Sequence, residues 1–347
     1  MKKLKKVMFV LLTVLFVLDT VEVSAANVLK NNGAEVLENE TEDKSIEYAK
    51  IVGEFFLLRA RGNATLFNPI ILKNVVGEEE ACIFDISGGG YVIVNLNDLS
   101  IPEYSPEGIN PYIGIDNPVY NGPFNYYYFE GDNLISINSG DIVCIDNTRD
   151  IYRRDELDDK EEYINRKRKS KLKRSQKAPI KRYIKNELVT YRNPTRFACG
   201  ATAAAICLKY YHDNVDTNYI KREYDSERAL IERLRLQRYV GAAGTYDTDL
   251  KRGLNQWFED YDINDSTDIY NYSFFSVKAQ INKSKPIMVW LDETYYEAPH
   301  WVVIYGYFED LANGSYIIVN PGWGYNGVWI EADTSALQTM LYFTRHP

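Results

Sequence analysis

A block of basic residues divides the chain into two parts. Eleven lysines and arginines lie between Arg166 and Lys185, and no acidic residue interrupts them. The 347 residues carry a formal net charge of −9, to which residues 1–26 contribute +2, residues 27–150 contribute −13, residues 151–187 contribute +7 and residues 188–347 contribute −5. A block of like charges repels itself and should be extended or disordered. The sequence therefore predicts two folded segments joined by a basic linker.

The first 26 residues have the pattern of a secretory signal peptide. Four lysines precede the apolar stretch 7–18, and small residues follow at 23–26. These twelve apolar-rich residues are too few to span a hydrocarbon core of about 30 Å at about 1.5 Å per residue. We expect cleavage near residue 26 and a secreted, extracellular protein, with association to the cell wall left open. An uncleaved membrane anchor is the alternative.

Composition excludes several classes of protein. Apolar residues make up 45% of the chain, which includes 28 tyrosines, so the chain is not wholly disordered. Four cysteines in a chain of this length exclude a scaffold built from disulfides. The acidic balance argues against nucleic acid as a partner.

The acidic segment 27–150 reads as a small α+β domain. Ser45 is a candidate N-cap for a helix whose apolar residues run at helical spacing from Ile46 to Phe56. Three consecutive glycines at 88–90 predict the turn of a β-hairpin. The predicted strands are at 82–86, 91–94, 126–129 and 142–145.

The basic linker 151–187 allows three interpretations. Exposed, unfolded stretches are where proteases cut, so it can be a processing site between two domains. Its charge can also bind an anionic surface such as a cell-wall polymer. The third interpretation is a solvated spacer without a further role.

The segment 188–347 begins helical and ends in strands. Residues 199–208 are small, apolar and helix-forming, which predicts a buried helix with Cys199 in its first turn. Further helical patterns run through 222–238 and 250–258. Strands are predicted at 286–291, 301–307, 316–319 and 328–330.

Cys199 is the candidate nucleophile. A helix N-terminus presents unpaired N–H groups and positive dipole charge, which lower the pKa of a thiol there. Cys207 lies eight residues further along the same predicted helix, a rise of about 12 Å that prevents a disulfide between the two. A disulfide between Cys82 and Cys144 is left open.

His300 is the candidate base among three histidines. His212 lies about 20 Å from Cys199 by helical rise, and His346 is next to the last residue. His300 opens an apolar strand, where a side chain can face a cleft while its backbone stays rigid. Its gap of 101 residues from Cys199 also separates this pattern from transglutaminase-like and amidase-like enzymes, which bring their histidine sooner.

Three more residues complete a candidate site. An imidazole base needs a group that fixes its orientation, and Asn320 ends the strand after that of His300. Trp323 can shield that contact from water. The backbone N–H of Cys199 and the side-chain amide of Asn193 are candidates for an oxyanion hole. Each residue also has an ordinary structural explanation, as a small core residue, a satisfied histidine or a common turn.

The motifs around these residues resemble those of papain-like cysteine peptidases, over roughly residues 186–347. FACGATAAA at 197–205 is similar to their nucleophile helix, and KPIMV followed by HWVVIYGY at 300–307 is similar to the strand pair that carries their histidine. NPGWG at 320–324 with GVW at 327–329 resembles the asparagine region of the streptopain family and of bacteriocin-leader-processing peptidases. Asn193 stands where that pattern has glutamine, and Pro321 where streptopain-like enzymes have tryptophan.

The acidic segment adds a second resemblance. ACIFDISGGGYVIV at 81–94 with PEYSPEG at 102–108 is similar to the streptopain prodomain. The resemblance implies an α+β fold of two lobes, a helical one with Cys199 and an antiparallel β lobe with His300 and Asn320, preceded by an inhibitory prodomain. It implies peptide or protein substrates, no cofactor or metal, and membrane contact only through the leader.

Three functions follow from these observations. The first is a secreted cysteine endopeptidase made as a zymogen, with Cys199 as nucleophile, His300 as general acid and base, and Asn320 as the group that orients it. The second is a different Cys–His enzyme of the transglutaminase or cell-wall amidase kind. The third is an inactive homologue that acts as a secreted binding protein.

Overall fold

Helices and strands form an α+β arrangement in the part of the chain that the structure describes. The structure is a computed structural model and describes residues 37–62, 64–143, 157, 159–173, 178–195, 197–241, 244–291 and 300–344. Its α-helices are α1 (Leu37–Ala60), α2 (Lys160–Lys173), α3 (Cys199–Asn214), α4 (Glu227–Leu234), α5 (Asp247–Asp260) and α6 (Phe274–Asn282).

Strands are distributed over the whole described chain. They are β1 (Leu66–Lys73), β2 (Glu79–Ile86), β3 (Tyr91–Asn95), β4 (Glu103–Ser105), β5 (Pro118–Tyr120), β6 (Tyr126–Glu130), β7 (Asn133–Ser136), β8 (Ile142–Val143), β9 (Ile180–Tyr183), β10 (Thr267–Asn271), β11 (Ile287–Leu291), β12 (His300–Asp310), β13 (Gly314–Asn320), β14 (Val328–Glu331) and β15 (Leu337–Phe343). The α+β class is therefore confirmed.

Some sequence expectations fall on residues outside the described ranges. These are the signal peptide 1–26, Cys144 with its pairing to Cys82, and His346. Among the described residues, no helix is both long enough and apolar enough to cross a membrane.

The glycine hairpin predicted in the acidic segment is present. Strands β2 and β3 pair antiparallel, with Cys82 opposite Val94. The three glycines between them all have positive φ, and a Cβ on Gly90 would lie 2.2 Å from the Ser105 carbonyl oxygen. Only glycine fits this turn, because it alone adopts such backbone angles without steric cost.

Helix α1 starts earlier than the sequence pattern suggested. It begins at Leu37, so the assignment of Ser45 as N-cap is wrong. Residues 38–43 contain four acidic residues. Negative charge is favourable near the positive end of a helix, and glutamate has good helix propensity, which explains why the helix extends beyond the apolar stretch.

The basic block has regular structure where a disordered or extended chain was expected. Residues 160–173 form α2, which opens with Glu161 and Glu162 in its first turn. This polarity, acidic at the start and basic towards the end, complements the helix dipole, and Arg166 forms an ion pair with Glu162 one turn away. Charge order along the helix therefore offsets the repulsion between like charges.

The last part of the basic block is an edge strand. Strand β9 pairs antiparallel with β12, from Gly306 opposite Tyr183 to Glu309 opposite Ile180. The Tyr183 ring stacks on that of Tyr305 at 5.8 Å. The end of the basic block is thus fixed to the central sheet.

The carboxy-terminal segment (residues 178–344) has a helical half followed by a β half, as predicted. The helical pattern at 222–238 contains a 3₁₀ turn at Arg222–Tyr224 and the short helix α4, whose N-cap Ser226 accepts a hydrogen bond from the Ala229 N–H. Strands β11, β12, β13 and β14 pair antiparallel in that order, and β15 and β10 extend the sheet on the other side. Strands β10 and β15 and helix α6 were not predicted, because their patterns are short and mixed.

One sheet continues from this segment into the amino-terminal segment (residues 46–143). Strand β4 pairs antiparallel with β14, with Tyr104 opposite Trp329 and Glu103 opposite Ile330. Residues 46–347 accordingly form one compact unit. The two segments are joined by backbone hydrogen bonds as well as by side chains.

An aromatic cluster fills the junction beside β4 and β14. The Trp329 ring is 1% exposed and lies 5.1 Å from Tyr104, 5.0 Å from Phe308 and 6.2 Å from Phe56 on α1. Edge-to-face and tilted contacts of this kind stabilise aromatic pairs beyond simple burial.

An ion pair closes the same junction at its edge. Arg59 on α1 donates two hydrogen bonds to Asp310 at the end of β12, at 2.8 and 3.2 Å. The Asp310 side chain is 2% exposed, and its carboxylate also accepts a hydrogen bond from the Asn313 amide at 2.8 Å. Loss of Arg59 or Asp310 would leave a poorly solvated charge at the junction.

Truncation of Trp329 tests the cluster. We expect Trp329→Ala to lower the free energy of unfolding by about 3–5 kcal/mol, because it leaves a cavity shared by both segments. Leu311→Ala, at a side chain that is 68% exposed, is the control and should change stability by less than about 0.5 kcal/mol. Denaturant unfolding at neutral pH measures both variants, and equal effects would contradict a shared core.

Candidate active site

Cys199 is the first residue of α3 and is buried. The helix has no side-chain N-cap and no acidic residue in its first turn, so no carboxylate of that turn offsets the positive end of the dipole. The small side chains that follow let the helix pack deep in the carboxy-terminal core. This position suits a thiol that must ionise.

Cys207 shows the contrast between two cysteines on one helix. It lies in the middle of α3 and is fully buried in the apolar core. Burial raises the pKa of the Cys207 thiol far above its ordinary value of 9.0, so it is an inert core residue. Position on the helix therefore separates the two thiols chemically.

Close packing fixes the start of α3 relative to the start of β12. A Cβ on Gly200 would lie 2.6 Å from the Thr245 side chain, so only glycine fits beside Cys199. The Thr245 carbonyl in turn accepts a 2.8 Å hydrogen bond from the indole Nε1 of Trp301. Trp301 follows His300, so these contacts connect the two candidate catalytic residues.

His300 begins β12 opposite Leu291 on β11. Its Nε2 forms a 2.9 Å hydrogen bond with the carbonyl oxygen of Pro321. Burial lowers the pKa of His300 from its ordinary 6.5 to about 4, and the Pro321 carbonyl opposes that effect only in part. The imidazole is therefore neutral at pH 7 in this conformation.

Asn320 is fully buried at the end of β13 and lies opposite Val303 on β12. Its Nδ2 donates to the Val189 carbonyl at 2.9 Å, and its Oδ1 accepts from the Gly322 N–H at 2.8 Å. Both ends of the amide thus hold backbone groups. Antiparallel pairing brings Asn320 close to the start of β12, but the hydrogen-bond partner of the imidazole is the next residue, Pro321.

Trp323 covers one face of the imidazole. Its ring stacks on His300 with 5.3 Å between centroids and 25° between planes. An isolated β-bridge between Arg192 and Trp323 attaches this loop to the chain that leads to Cys199. The indole therefore lies over the ring that forms the His300–Pro321 hydrogen bond.

Asn193 lies beside the same turn. Its backbone N–H donates to the Gly322 carbonyl at 2.7 Å. Its Oδ1 is buried without a hydrogen-bond partner among the described residues, and a Cβ on Gly322 would approach that oxygen to 3.1 Å. The turn thus contacts both the base and the candidate oxyanion donor.

Phe124 of the amino-terminal segment reaches this site, which the sequence did not predict. Its ring lies 5.9 Å from that of His300 and 5.2 Å, edge to face, from that of Trp323. Its φ of +69° is rare for a bulky residue and has a conformational cost. Asn138 donates to its carbonyl at 3.1 Å. The only sequence signal nearby is the turn-forming Gly-Pro pair that precedes it.

A buried carboxylate holds the backbone of Phe124. Glu103 Oε2 accepts the Phe124 N–H at 3.1 Å, and Oε1 accepts the hydroxyls of Tyr91, at 2.5 Å, and Tyr126. Burial raises the pKa of Glu103 from 4.5 to about 7, although these donors favour the ionised form. Glu103 belongs to β4, so the strand that joins the segments also positions the aromatic ring at the site.

Residues 179–341 match the model of the Peptidase_C39 like family, which confirms the resemblance to cysteine peptidases. The matched range includes Cys199, His300 and Asn320. No curated protein matches the chain.

The solved structures that are similar to this chain include the following two. A fragment of prointerpain A from Prevotella intermedia is 14% identical, with a TM-score of 0.38 over 79% of this chain and 98% of that chain. A recombinant stem bromelain precursor is 17% identical, with a TM-score of 0.34 over 46% of this chain and 68% of that chain.

The low pKa of His300 gives a test of its burial. In Cys199→Ala protein we expect His300 to titrate near pH 4, and Phe124→Ala to raise this pKa towards 6.5, because the ring then meets water. Phe67→Ala, at a half-exposed ring on β1, is the matched control. NMR titration of the imidazole, assigned with His300→Gln, measures the shift; an unchanged pKa in Phe124→Ala contradicts the assignment of burial to Phe124.

Proposed function

We propose that the chain is the zymogen of a secreted cysteine endopeptidase. Residues 1–26 are the leader, residues 27–150 the inhibitory prodomain, residues 151–187 the processing linker and residues 188–347 the peptidase. The family match over 179–341 supports the peptidase class. The contact of Phe124 with His300 and Trp323 is the observation that carries the zymogen state.

The proposed reaction is hydrolysis of a peptide bond. The Cys199 thiolate attacks the scissile carbonyl, and His300, which takes the thiol proton, then delivers a proton to the leaving amine. Water hydrolyses the resulting thioester, returning the free thiol. The Cys199 N–H and the Asn193 amide stabilise the oxyanion, Asn320 orients His300, and Trp323 shields the imidazole.

The burial of His300 is the proposed means of inhibition. A cysteine peptidase needs a thiolate and an imidazolium side by side, and an imidazole with a pKa of about 4 is not charged at neutral pH. Phe124 also lies against the same ring that must meet the substrate. The amino-terminal segment thus blocks the site both sterically and electrostatically.

The edge strand β9 limits where the linker can be cut. Residues 180–183 pair with β12, and the Ile184 N–H donates to the Tyr305 carbonyl at 2.9 Å. Removal of these residues would leave part of a central strand unpaired. The mature chain therefore keeps residues 180–187 of the linker ahead of the peptidase segment, and the cut lies in the part of the basic linker before Ile180.

The first test is loss of the nucleophile. We expect wild-type protein under reducing conditions to hydrolyse peptides and to release a product whose first residue precedes Ile180. Cys199→Ala should abolish both reactions, whereas Cys207→Ala, which removes the inert thiol of the same helix, should keep them. Mass spectrometry of the fragments and a peptide hydrolysis assay measure the outcome.

Other outcomes identify the alternatives. Hydrolysis or processing that persists in purified Cys199→Ala protein contradicts the peptidase proposal. Release of cell-wall peptides in place of protein fragments would support an amidase-type enzyme. A Cys199 that no epoxide peptidase inhibitor labels, even after removal of the amino-terminal segment, would support a binding protein.

A second test addresses inhibition in the uncut chain. We expect Phe124→Ala to speed epoxide labelling of Cys199 by about tenfold or more, since 1.4 kcal/mol of lost packing corresponds to that factor. Phe67→Ala should label at the wild-type rate. Labelling is followed by mass spectrometry at early times, before processing; equal rates for the two variants contradict the blocking role of Phe124.

A further inference from the structure

We infer that the carbonyl of Pro321 is the acceptor that orients His300, and that Asn320 is a positioning residue that acts by fixing the turn which presents this carbonyl. The inference rests on the proposed peptidase function, which it makes more specific. It assigns the orienting contact to the backbone in place of the side-chain amide.

The hydrogen bonds of Asn320 are the first observation that supports this inference. Its Nδ2 donates to the Val189 carbonyl and its Oδ1 accepts the Gly322 N–H, at 2.9 and 2.8 Å. Asn320 is 0% exposed, so no solvent is available to replace either contact. A swing of the amide towards His300 would leave buried backbone groups unpaired, which is costly.

The conformation of the turn at residues 320–322 is the second observation that supports this inference. The contact from Asn320 Oδ1 to Gly322 N spans two residues, as in an Asx turn, and encloses Pro321. The proline ring fixes its own φ, and Gly322 has a φ of +75° that suits glycine. The direction of the carbonyl between them is therefore set by three residues of the turn.

This carbonyl determines the state of the imidazole. A carbonyl oxygen only accepts hydrogen bonds, so at 2.9 Å it requires that His300 Nε2 carries the proton. The Nδ1 lone pair is then left to take a proton from the thiol. Trp323, stacked on the ring, keeps water from competing for the carbonyl.

The same turn also reaches the oxyanion side of the site. The Gly322 carbonyl accepts the Asn193 N–H at 2.7 Å. A change at Asn320 therefore moves the base and the candidate oxyanion donor together. We expect such a change to lower kcat while KM changes little, because neither contact needs the bound substrate.

Two variants distinguish action through the turn from direct contact with the imidazole. A serine hydroxyl at position 320 can still accept the N–H two residues on, but it is too short to replace an amide that reaches His300. We expect processed Asn320→Ser to keep kcat within about tenfold of wild type, and Asn320→Ala to lose about 100-fold, the order of cost of a misplaced catalytic group. Equal losses in the two variants would overturn the inference.

The tautomer provides a readout that does not depend on activity or on Asn320→Ala folding. In Cys199→Ala and in Cys199→Ala/Asn320→Ser protein, the nitrogen-15 shifts of His300 should show the Nε2–H form at neutral pH. Two results would overturn the inference. One is the Nδ1–H form in Cys199→Ala protein, and the other is an Nδ1–H form that appears only in Cys199→Ala/Asn320→Ser protein. Hydrolysis that survives Cys199→Ala would instead refute the peptidase proposal, while the tautomer would still report on the Pro321 contact.

Discussion

The pairing of β4 with β14 is the interaction on which the contacts of Phe124 with the candidate site depend. Through this ladder the amino-terminal segment continues the central sheet, with Glu103 opposite Ile330. The Glu103 side chain in turn holds the N–H of Phe124, and the Phe124 ring covers His300. One short strand thus determines both the attachment of the segment and the position of the phenylalanine ring that lies against His300.

The strained backbone of Phe124 is consistent with its position depending on the pairing of β4 with β14. A positive φ at a bulky residue persists only where surrounding contacts over-determine it. Here the surrounding contacts are the hydrogen bond that the Phe124 N–H donates to Glu103, the one that the Phe124 carbonyl accepts from Asn138, and the Trp323 ring. If β4 leaves β14, Phe124 loses its contact with Trp323. That contact then no longer offsets the conformational cost of the positive φ at Phe124.

The sequence predicted the parts of this arrangement that arise from local pattern. Helix α3 with Cys199 at its start, the strand that His300 opens and the glycine hairpin follow from periodicity and turn chemistry. The ordered structure of the basic block was not predicted, because net charge hides the order of charges that favours α2 and the pairing that holds β9. Phe124 and Glu103 were also missed, since a long-range contact between a strained turn and a distant strand leaves no periodic signal.

The hydrogen-bond partners of Asn320 show a second limit on what the sequence alone predicts. Its position after β13 was predictable, but the direction of a buried amide depends on which backbone groups the fold leaves unpaired. The Val189 carbonyl and the Gly322 N–H are such groups, and no spacing in the sequence indicates them. Residue type and order therefore predict the candidate members of the site, whereas their hydrogen bonds had to come from the packed structure.

Two buried groups give the blocked form opposing responses to pH. His300 is held neutral with a pKa of about 4, so its contribution to stability is lost as the pH falls from 6.5 towards 4. Glu103, with a pKa of about 7, contributes stability that is present below pH 4.5 and lost as the pH rises through 7. In global unfolding, the stability contribution of His300 rises with pH and that of Glu103 falls with pH, so the two effects oppose each other. Detachment of the amino-terminal segment differs, because the hydrogen-bond donors to Glu103, namely Tyr91, Tyr126 and the Phe124 N–H, leave with it. His300 gains access to water on detachment while Glu103 keeps these donors, and for that reason we expect acid to favour detachment more than unfolding.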